Sequence, residues 1–279
     1  MDTLKELFQY GKEMLKKAQI PEWQNDAWEL LEYVFGIEKS YYFLHENDKI
    51  NKSKQSEYEK VIHMRFQRIP LQHILGYTWF MGYKFYVNDK VLIPRYDTEI
   101  LVDEVGRLLK EKMRILDVCT GSGCILLSLL KAYQHLHIEG TGVDISAEAL
   151  QVAEKNRQRL DVCAQLIESD LFSKVQGSYD MIVSNPPYIA TKELDTLMPE
   201  VRDHEPWLAL DGKEDGLYFY RKIIEQADTY LNSGGWLCFE IGYDQGEELR
   251  ELLVQNGYEN VHIGQDLAGL DRTAFGMKK

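Results

Sequence analysis

Apolar residues recur every three or four positions through the first quarter of this 279-residue chain, the spacing of amphipathic helices. Leu4, Leu7, Phe8, Leu15 and Ala18 share one helical face, closed by Pro21. Trp23, Ala27, Leu30, Leu31 and Val34 share a second, ended by Gly36. Tyr58, Val61, Ile62, Arg65, Phe66 and Ile69 share a third, ended by Pro70. Such helices make a small bundle with its own core. The stripe Tyr41-Tyr42-Phe43 is assigned to that core.

The period changes after Gly76. The aromatic run from Tyr77 to Val87 has strand propensity, and Asn88-Asp89-Lys90 makes a turn before Val91-Leu92-Ile93. These residues predict a β-hairpin linker over 76–94. Asp97 or Thr98 is then placed to cap a helix carrying Ile100, Leu101, Val105, Leu108 and Leu109. From Arg114 onward strands and helices alternate, which predicts an α/β fold with a doubly wound, Rossmann-like parallel sheet. Strands are expected at 115–118, 138–143, 165–168, 181–184 and 236–241, with two late ones at 260–263 and 272–276. Helices are expected at 123–133, 147–160, 217–231 and 245–255. The chain thus reads as a bundle over 1–75, a hairpin over 76–94 and an α/β domain over 95–279.

One strand end carries unusual chemistry. Met181-Ile182-Val183 suits a central parallel strand, and Asn185-Pro186-Pro187-Tyr188 follows it. Pro186 cannot continue the ladder. Asn185 therefore stands at the carboxyl end, where open α/β sheets bind ligands. An Asn-Pro turn can simply close a strand, but the preceding strand and the second proline favour a functional reading. A planar NH2 nitrogen is a poor nucleophile because its lone pair is delocalised. Two acceptors gripping its N–H groups would aim that lone pair at an incoming methyl group. The Asn185 side-chain oxygen and the Pro186 carbonyl are the two acceptors, and Tyr188 is placed to stack on the flat substrate group. Neither histidine nor cysteine adjoins the tetrad. A kcat without an ionisation between about pH 6.5 and 9 is therefore expected.

A glycine loop, Asp117-Val118-Cys119-Thr120-Gly121-Ser122-Gly123, follows the first sheet strand and opens a helix. It lacks the third glycine of a dinucleotide fingerprint and the Lys-Ser/Thr pair of a phosphate loop. Asp144 ends the next strand, 21 residues beyond Gly123, where it would accept from both hydroxyls of a ribose. Asp170 ends the third and is suited to an adenine amine, with Leu171 or Phe172 packing on the ring. Each of these alone is compatible with a turn or a cap. Together they resemble motifs I, II and III of the class I S-adenosylmethionine-dependent methyltransferases, and the Asn-Pro-Pro-Tyr tetrad resembles motif IV.

Charge and cysteine usage narrow the partners. A net charge of −13 speaks against nucleic acid, which needs a concentrated basic surface; it fits a basic protein partner through long-range steering. The four cysteines form no C-x-x-C pair, so they read as reduced thiols, and no metal is proposed. No run approaches the roughly 20 apolar residues of a membrane span. The first residues lack the pattern of a signal peptide. A cytoplasmic protein without a membrane partner is expected.

Further segments specify the family. Pro94-Arg95-Tyr96-Asp97-Thr98-Glu99, Glu205-Pro206-Trp207-Leu208-Ala209-Leu210 with Asp211-Gly212 and Asp215-Gly216, Glu240-Ile241-Gly242-Tyr243-Asp244-Gln245-Gly246 and Asp266-Leu267-Ala268-Gly269 followed by Asp271-Arg272 all take part. With the tetrad, they resemble the HemK/PrmC family, the peptide chain release factor glutamine-N5 methyltransferases. Tyr96 departs from the proline often found there, and Leu171 from an aromatic residue. The resemblance implies S-adenosylmethionine as methyl donor, S-adenosylhomocysteine as product and class I release factors as partners, modified at the glutamine of Gly-Gly-Gln. It places Arg95 with the substrate-binding residues beside Asn185, Pro186, Pro187 and Tyr188, and makes residues 1–75 a substrate-binding bundle. An adenine-N6 methyltransferase acting on nucleic acid by base flipping is the alternative; a silent scaffold fits the intact motifs poorly.

Overall fold

In the computed structural model, which describes residues 1–279, the chain divides into two units. One comprises residues 1–76 with 198–204, the other residues 77–197 with 205–279. In chain order the first elements are helices α1 (Leu4–Lys17), α2 (Trp23–Phe35), α3 (Lys39–His45), α4 (Lys52–Phe66) and α5 (Leu71–Leu75). Then come strands β1 (Tyr77–Phe80) and β2 (Tyr83–Tyr86), helix α6 (Tyr96–Leu108), β3 (Arg114–Val118), α7 (Cys124–Ala132) and β4 (Glu139–Asp144). They are followed by α8 (Ala147–Leu160), β5 (Ala164–Glu168), β6 (Tyr179–Ser184) and the one-turn α9 (Pro199–Arg202). The chain closes with α10 (Tyr218–Tyr230), β7 (Leu231–Glu240), α11 (Gly246–Gln255), β8 (Glu259–Gln265) and β9 (Asp271–Met277). No helix is long and apolar enough to cross a membrane.

In the helical unit, Leu4, Leu7 and Leu15 of α1 are buried, as are Ala27, Leu30, Leu31 and Val34 of α2 and Tyr58, Val61 and Ile62 of α4. Thr3 caps α1 by accepting from the Glu6 amide, satisfying one of the helix's free donors. The aromatic stripe does not all belong to the core. Tyr42 is buried at 7% exposure, whereas Tyr41, Phe43 and Leu44 are 47%, 72% and 82% exposed. A helix as short as α3 turns only one residue in three or four inward. Arg65 lies on the buried face of α4 because its charge is met there: it donates to Asp26 at 2.7 Å and to Glu200 at 2.9 Å. Arg68 donates to the other Glu200 oxygen at 2.8 Å. This cluster is what joins the 198–204 segment to the bundle.

The second unit holds a seven-stranded sheet in the order β5-β4-β3-β6-β7-β9-β8. β3 to β7 run parallel, and β9 is antiparallel to both of its neighbours. Both sheet faces are covered, so β6 is apolar through its middle: Ile182 enters one core with Leu116, Tyr220 and Phe239, while Met181 and Val183 enter the other with Leu101, Leu126 and Phe275. The hairpin turns earlier than expected. β1 pairs with β2 through Phe80 and Tyr83, so Met81-Gly82 is a two-residue turn, with φ of 51° and 74°. Asn88 does accept from the Lys90 amide, but residues 91–93 form no strand. Nor is α6 capped by Asp97 or Thr98; its cap position is Arg95, without a side-chain bond. Thr98 is buried inside the first turn.

Candidate active site

Strands β3 and β6 lie side by side, but from β3 the chain winds outward through β4 and β5, and from β6 the other way. The loops leaving their carboxyl ends must part there, and the gap is where such sheets bind ligands. A cleft with about 1100 Å³ of empty space, part of it open to solvent, occupies this point. Cys119, Thr120, Gly121 and Ser122 line it from β3, Asp144 from β4, Asp170 and Leu171 from β5, and Asn185 and Pro187 from β6. Leu92, Pro94, Thr98, Pro206, Leu208 and Phe219 complete much of the wall.

The β3 loop is held from three sides. The Thr120 amide donates to the Val143 carbonyl at 3.0 Å, and the Thr120 hydroxyl donates to Asp117 at 2.6 Å. Asn156 of α8 donates to the Ser122 carbonyl at 2.9 Å. Gly123 starts α7 at a φ of 79°, and a β-carbon there would fall 2.7 Å from Leu127, so glycine is required. Cys119 and Leu171 both have positive φ, at 62° and 46°. Non-glycine residues in that region are costly and gather at functional sites.

Asp144 sits at the mouth of β4. Its Oδ2 accepts from the Gly121 amide at 2.8 Å and its Oδ1 from the Ser146 amide at 2.9 Å. Each carboxylate oxygen retains a second lone-pair direction for a hydroxyl. Burial raises the Asp144 carboxyl, with the amides of Ser146, Gly121 and Ile145 opposing. A mostly apolar, nucleoside-sized cleft with carboxylates at two strand ends fits S-adenosylmethionine, which has a ribose, an adenine and a cationic sulfur.

Several expected site residues lie behind the cleft wall rather than on it. Asp117 is fully buried beneath the loop, where burial pushes its carboxyl up to about 7. Phe172 stacks on Tyr230 at 4.9 Å in the core, so Leu171 alone is left to pack on an adenine. Pro186 is buried. Tyr188 packs against the core and donates its hydroxyl to Glu240 at 3.3 Å, and it is not among the side chains that line the cleft. Arg95 donates to both oxygens of Glu205 at 2.7 and 2.8 Å, which ties the α6 start to the 205–210 segment.

Two side chains missed from the sequence complete the tetrad's setting. Thr98 lines the cleft, and its hydroxyl receives the Asn185 side-chain N–H at 3.5 Å. That leaves the Asn185 oxygen as the free acceptor. Glu240 is buried beside them, and burial pushes its carboxyl up to about 7, against the pull of Thr98, Tyr188 and Asn185. The expected flat pH profile therefore has a buried acid to reckon with. The tetrad is also braced from behind. Ile189 exchanges bonds with Leu210 and Gly212 at 3.1 and 2.8 Å, and Gln245 donates to the Tyr188 carbonyl at 3.1 Å. A β-carbon on Gly216 would fall 2.3 Å from that carbonyl, which accounts for the glycine of Asp215-Gly216. The signal for Thr98 and Glu240 was present in the family segments, but nothing local marked their roles.

The sheet order, the glycine loop and the acids at successive strand ends define a class I S-adenosylmethionine-dependent methyltransferase. Known proteins agree. A methyltransferase from Pyrococcus furiosus shares the fold at a TM-score of 0.53 and 17% identity, over 71% of this chain and 89% of that one. Residues 6–76 match the PrmC N-terminal domain and residues 96–201 the methyltransferase small domain. The release factor glutamine methyltransferase of Geobacter sulfurreducens is 39% identical over 248 residues, covering 88% of this chain and 87% of that protein. That of Clostridium botulinum is 38% identical over 282 residues, with 99% of each covered. The chain belongs to the release factor glutamine methyltransferase family.

Proposed function

We propose that this protein methylates the side-chain amide nitrogen of the glutamine in the Gly-Gly-Gln tripeptide of class I release factors. The observation that carries the reading is Asn185 on the cleft wall, its nitrogen turned to Thr98 and its oxygen left for a donor. When bound, S-adenosylmethionine supplies an electrophilic methyl group on sulfur. Asp144 takes the ribose hydroxyls, Asp170 the adenine amine, and Leu171 the ring face. The Asn185 oxygen and the Pro186 carbonyl accept the two N–H groups of the substrate amide and so orient its lone pair. Pro187, Leu208 and Ile125 give that position apolar walls that exclude water. The amide keeps its proton until after transfer, so no general base is required. Orientation of this kind supplies up to roughly 7–11 kcal/mol.

On the same reading residues 1–75 hold the folded release factor, since they carry no chemistry and a lone glutamine offers too little surface for selectivity. The exposed Phe43 and Leu44 support this role, and their replacement by serine should raise KM for whole release factor without changing S-adenosylmethionine affinity. The charge of −13 favours a basic protein partner over nucleic acid, and release factors place the work in the cytoplasm. The deciding experiment offers labelled S-adenosylmethionine with release factor, DNA or RNA, followed by mass spectrometry of the Gly-Gly-Gln peptide. Label in nucleic acid, or none in that glutamine, would overturn the reading.

A further inference from the structure

Asn185 and Glu240 are neighbours across the sheet. β6 and β7 pair in parallel with Ser184 opposite Phe239, so the next residue on each chain is Asn185 on one and Glu240 on the other. Glu240 is 3% exposed; Oε1 receives the Tyr188 hydroxyl, and Oε2 is buried without a partner. An unpartnered buried carboxylate oxygen is expensive, and the methyl transfer itself makes no use of it. The polar side chains facing it are Thr98, Tyr188 and Asn185. Tyr220 donates to its backbone carbonyl at 2.9 Å. Asp97 and Cys124 also feel its charge, while Arg95 is engaged by Glu205 and Arg272 by Asp266 and Asp97.

We propose that Glu240, acting through Thr98, is a positioning residue that keeps the Asn185 amide oxygen towards the cleft. The proposal rests on the methyltransferase reading above. An amide presents a donor at one end and an acceptor at the other, and only its neighbours select the orientation. An ionised carboxylate only accepts, so the Thr98 hydroxyl turns its proton to Glu240 and offers its oxygen to the Asn185 N–H. A protonated Glu240 donates instead. The Thr98 proton is then released towards Asn185, the amide turns over, and the substrate N–H loses its acceptor. With the Glu240 carboxyl at about 7, kcat should fall as the pH drops through that value, in place of the flat profile expected from the sequence.

The test measures kcat and KM for release factor from about pH 5.5 to 8.5 in wild type, Glu240→Gln, Thr98→Ser and Thr98→Val, with S-adenosylmethionine affinity by calorimetry. Wild-type kcat should rise through one ionisation near about 7, and Glu240→Gln should be flat and at least about tenfold slower at pH 8. Affinity for S-adenosylmethionine should stay within about twofold, because Asp144 is untouched. Thr98→Ser should retain the wild-type profile and Thr98→Val lose it. Glu240→Gln with wild-type turnover and pH dependence, or Thr98→Val as active as wild type, overturns the proposal. The Thr98 pair decides it if Glu240→Gln does not fold. Wild type that leaves release factor unmodified at every pH overturns the function itself, a separate result.

Discussion

Replacing Asp144 by alanine tests the cofactor site at the group on which two jobs converge. Its oxygens hold the Gly121 and Ser146 amides at 2.8 and 2.9 Å and, on the proposed binding mode, the ribose hydroxyls as well. A hydrogen bond to a charged group contributes about 1.5–3 kcal/mol. At about 1.36 kcal/mol per tenfold, one such bond lost weakens binding roughly 10- to 150-fold. Some of that loss would come from the freed Gly121 amide and a looser loop. Calorimetry with S-adenosylhomocysteine and its 2′-deoxy analogue separates the two in a double-mutant cycle. Wild type should bind the deoxy compound more weakly, and Asp144→Ala should barely distinguish them. Because burial raises this carboxyl and only its ionised form accepts from two hydroxyls, affinity should also fall as acid protonates it. A folded variant with unchanged affinity, or an equal deoxy penalty in both proteins, would refute the assignment.

Asn185→Ala should lower kcat at least about a hundredfold through lost orientation; single-turnover rates near wild type would remove the acceptor role. Arg65→Met leaves Asp26 buried without its cation and should destabilise the helical unit by about 3–5 kcal/mol in urea titrations. Adding Asp26→Asn should restore part of this, and a single variant costing under about 1 kcal/mol would show the cluster to be incidental. Glu240 has a folded pKa above its unfolded one, so the unfolded chain releases this proton first and stability is lost as the pH rises from about 4.5 through about 7. Glu240→Gln should therefore gain stability over wild type at pH 8 and lose that advantage near pH 5, read from urea midpoints at both.

Period and turn chemistry are local, so the elements were legible. The apolar runs named the seven strands of the sheet, Gly121 and Gly123 named the loop, and Asn-Pro-Pro-Tyr announced its chemistry because proline cannot continue a strand. The acids Asp144 and Asp170 were legible for the same reason, each standing where an apolar run stops. What lay beyond local reading was which side of a wall each neighbour occupies. Leu171 and Phe172 are consecutive, yet one lines the cleft and the other stacks on Tyr230; only the packing of α10 decides between them. Thr98 looked like a cap and is a buried partner of Asn185, 87 residues away along the chain. Glu240 became a neighbour of the tetrad through strand pairing, and Arg65 became a buried charge through Glu200, 135 residues distant. Burial, and with it the ionisation of Glu240 and Asp117, is a property of the assembled sheet and helices. A sequence names the groups; the tertiary structure decides which of them lose their water, and desolvation is what turns an ordinary carboxylate into one that titrates near neutrality.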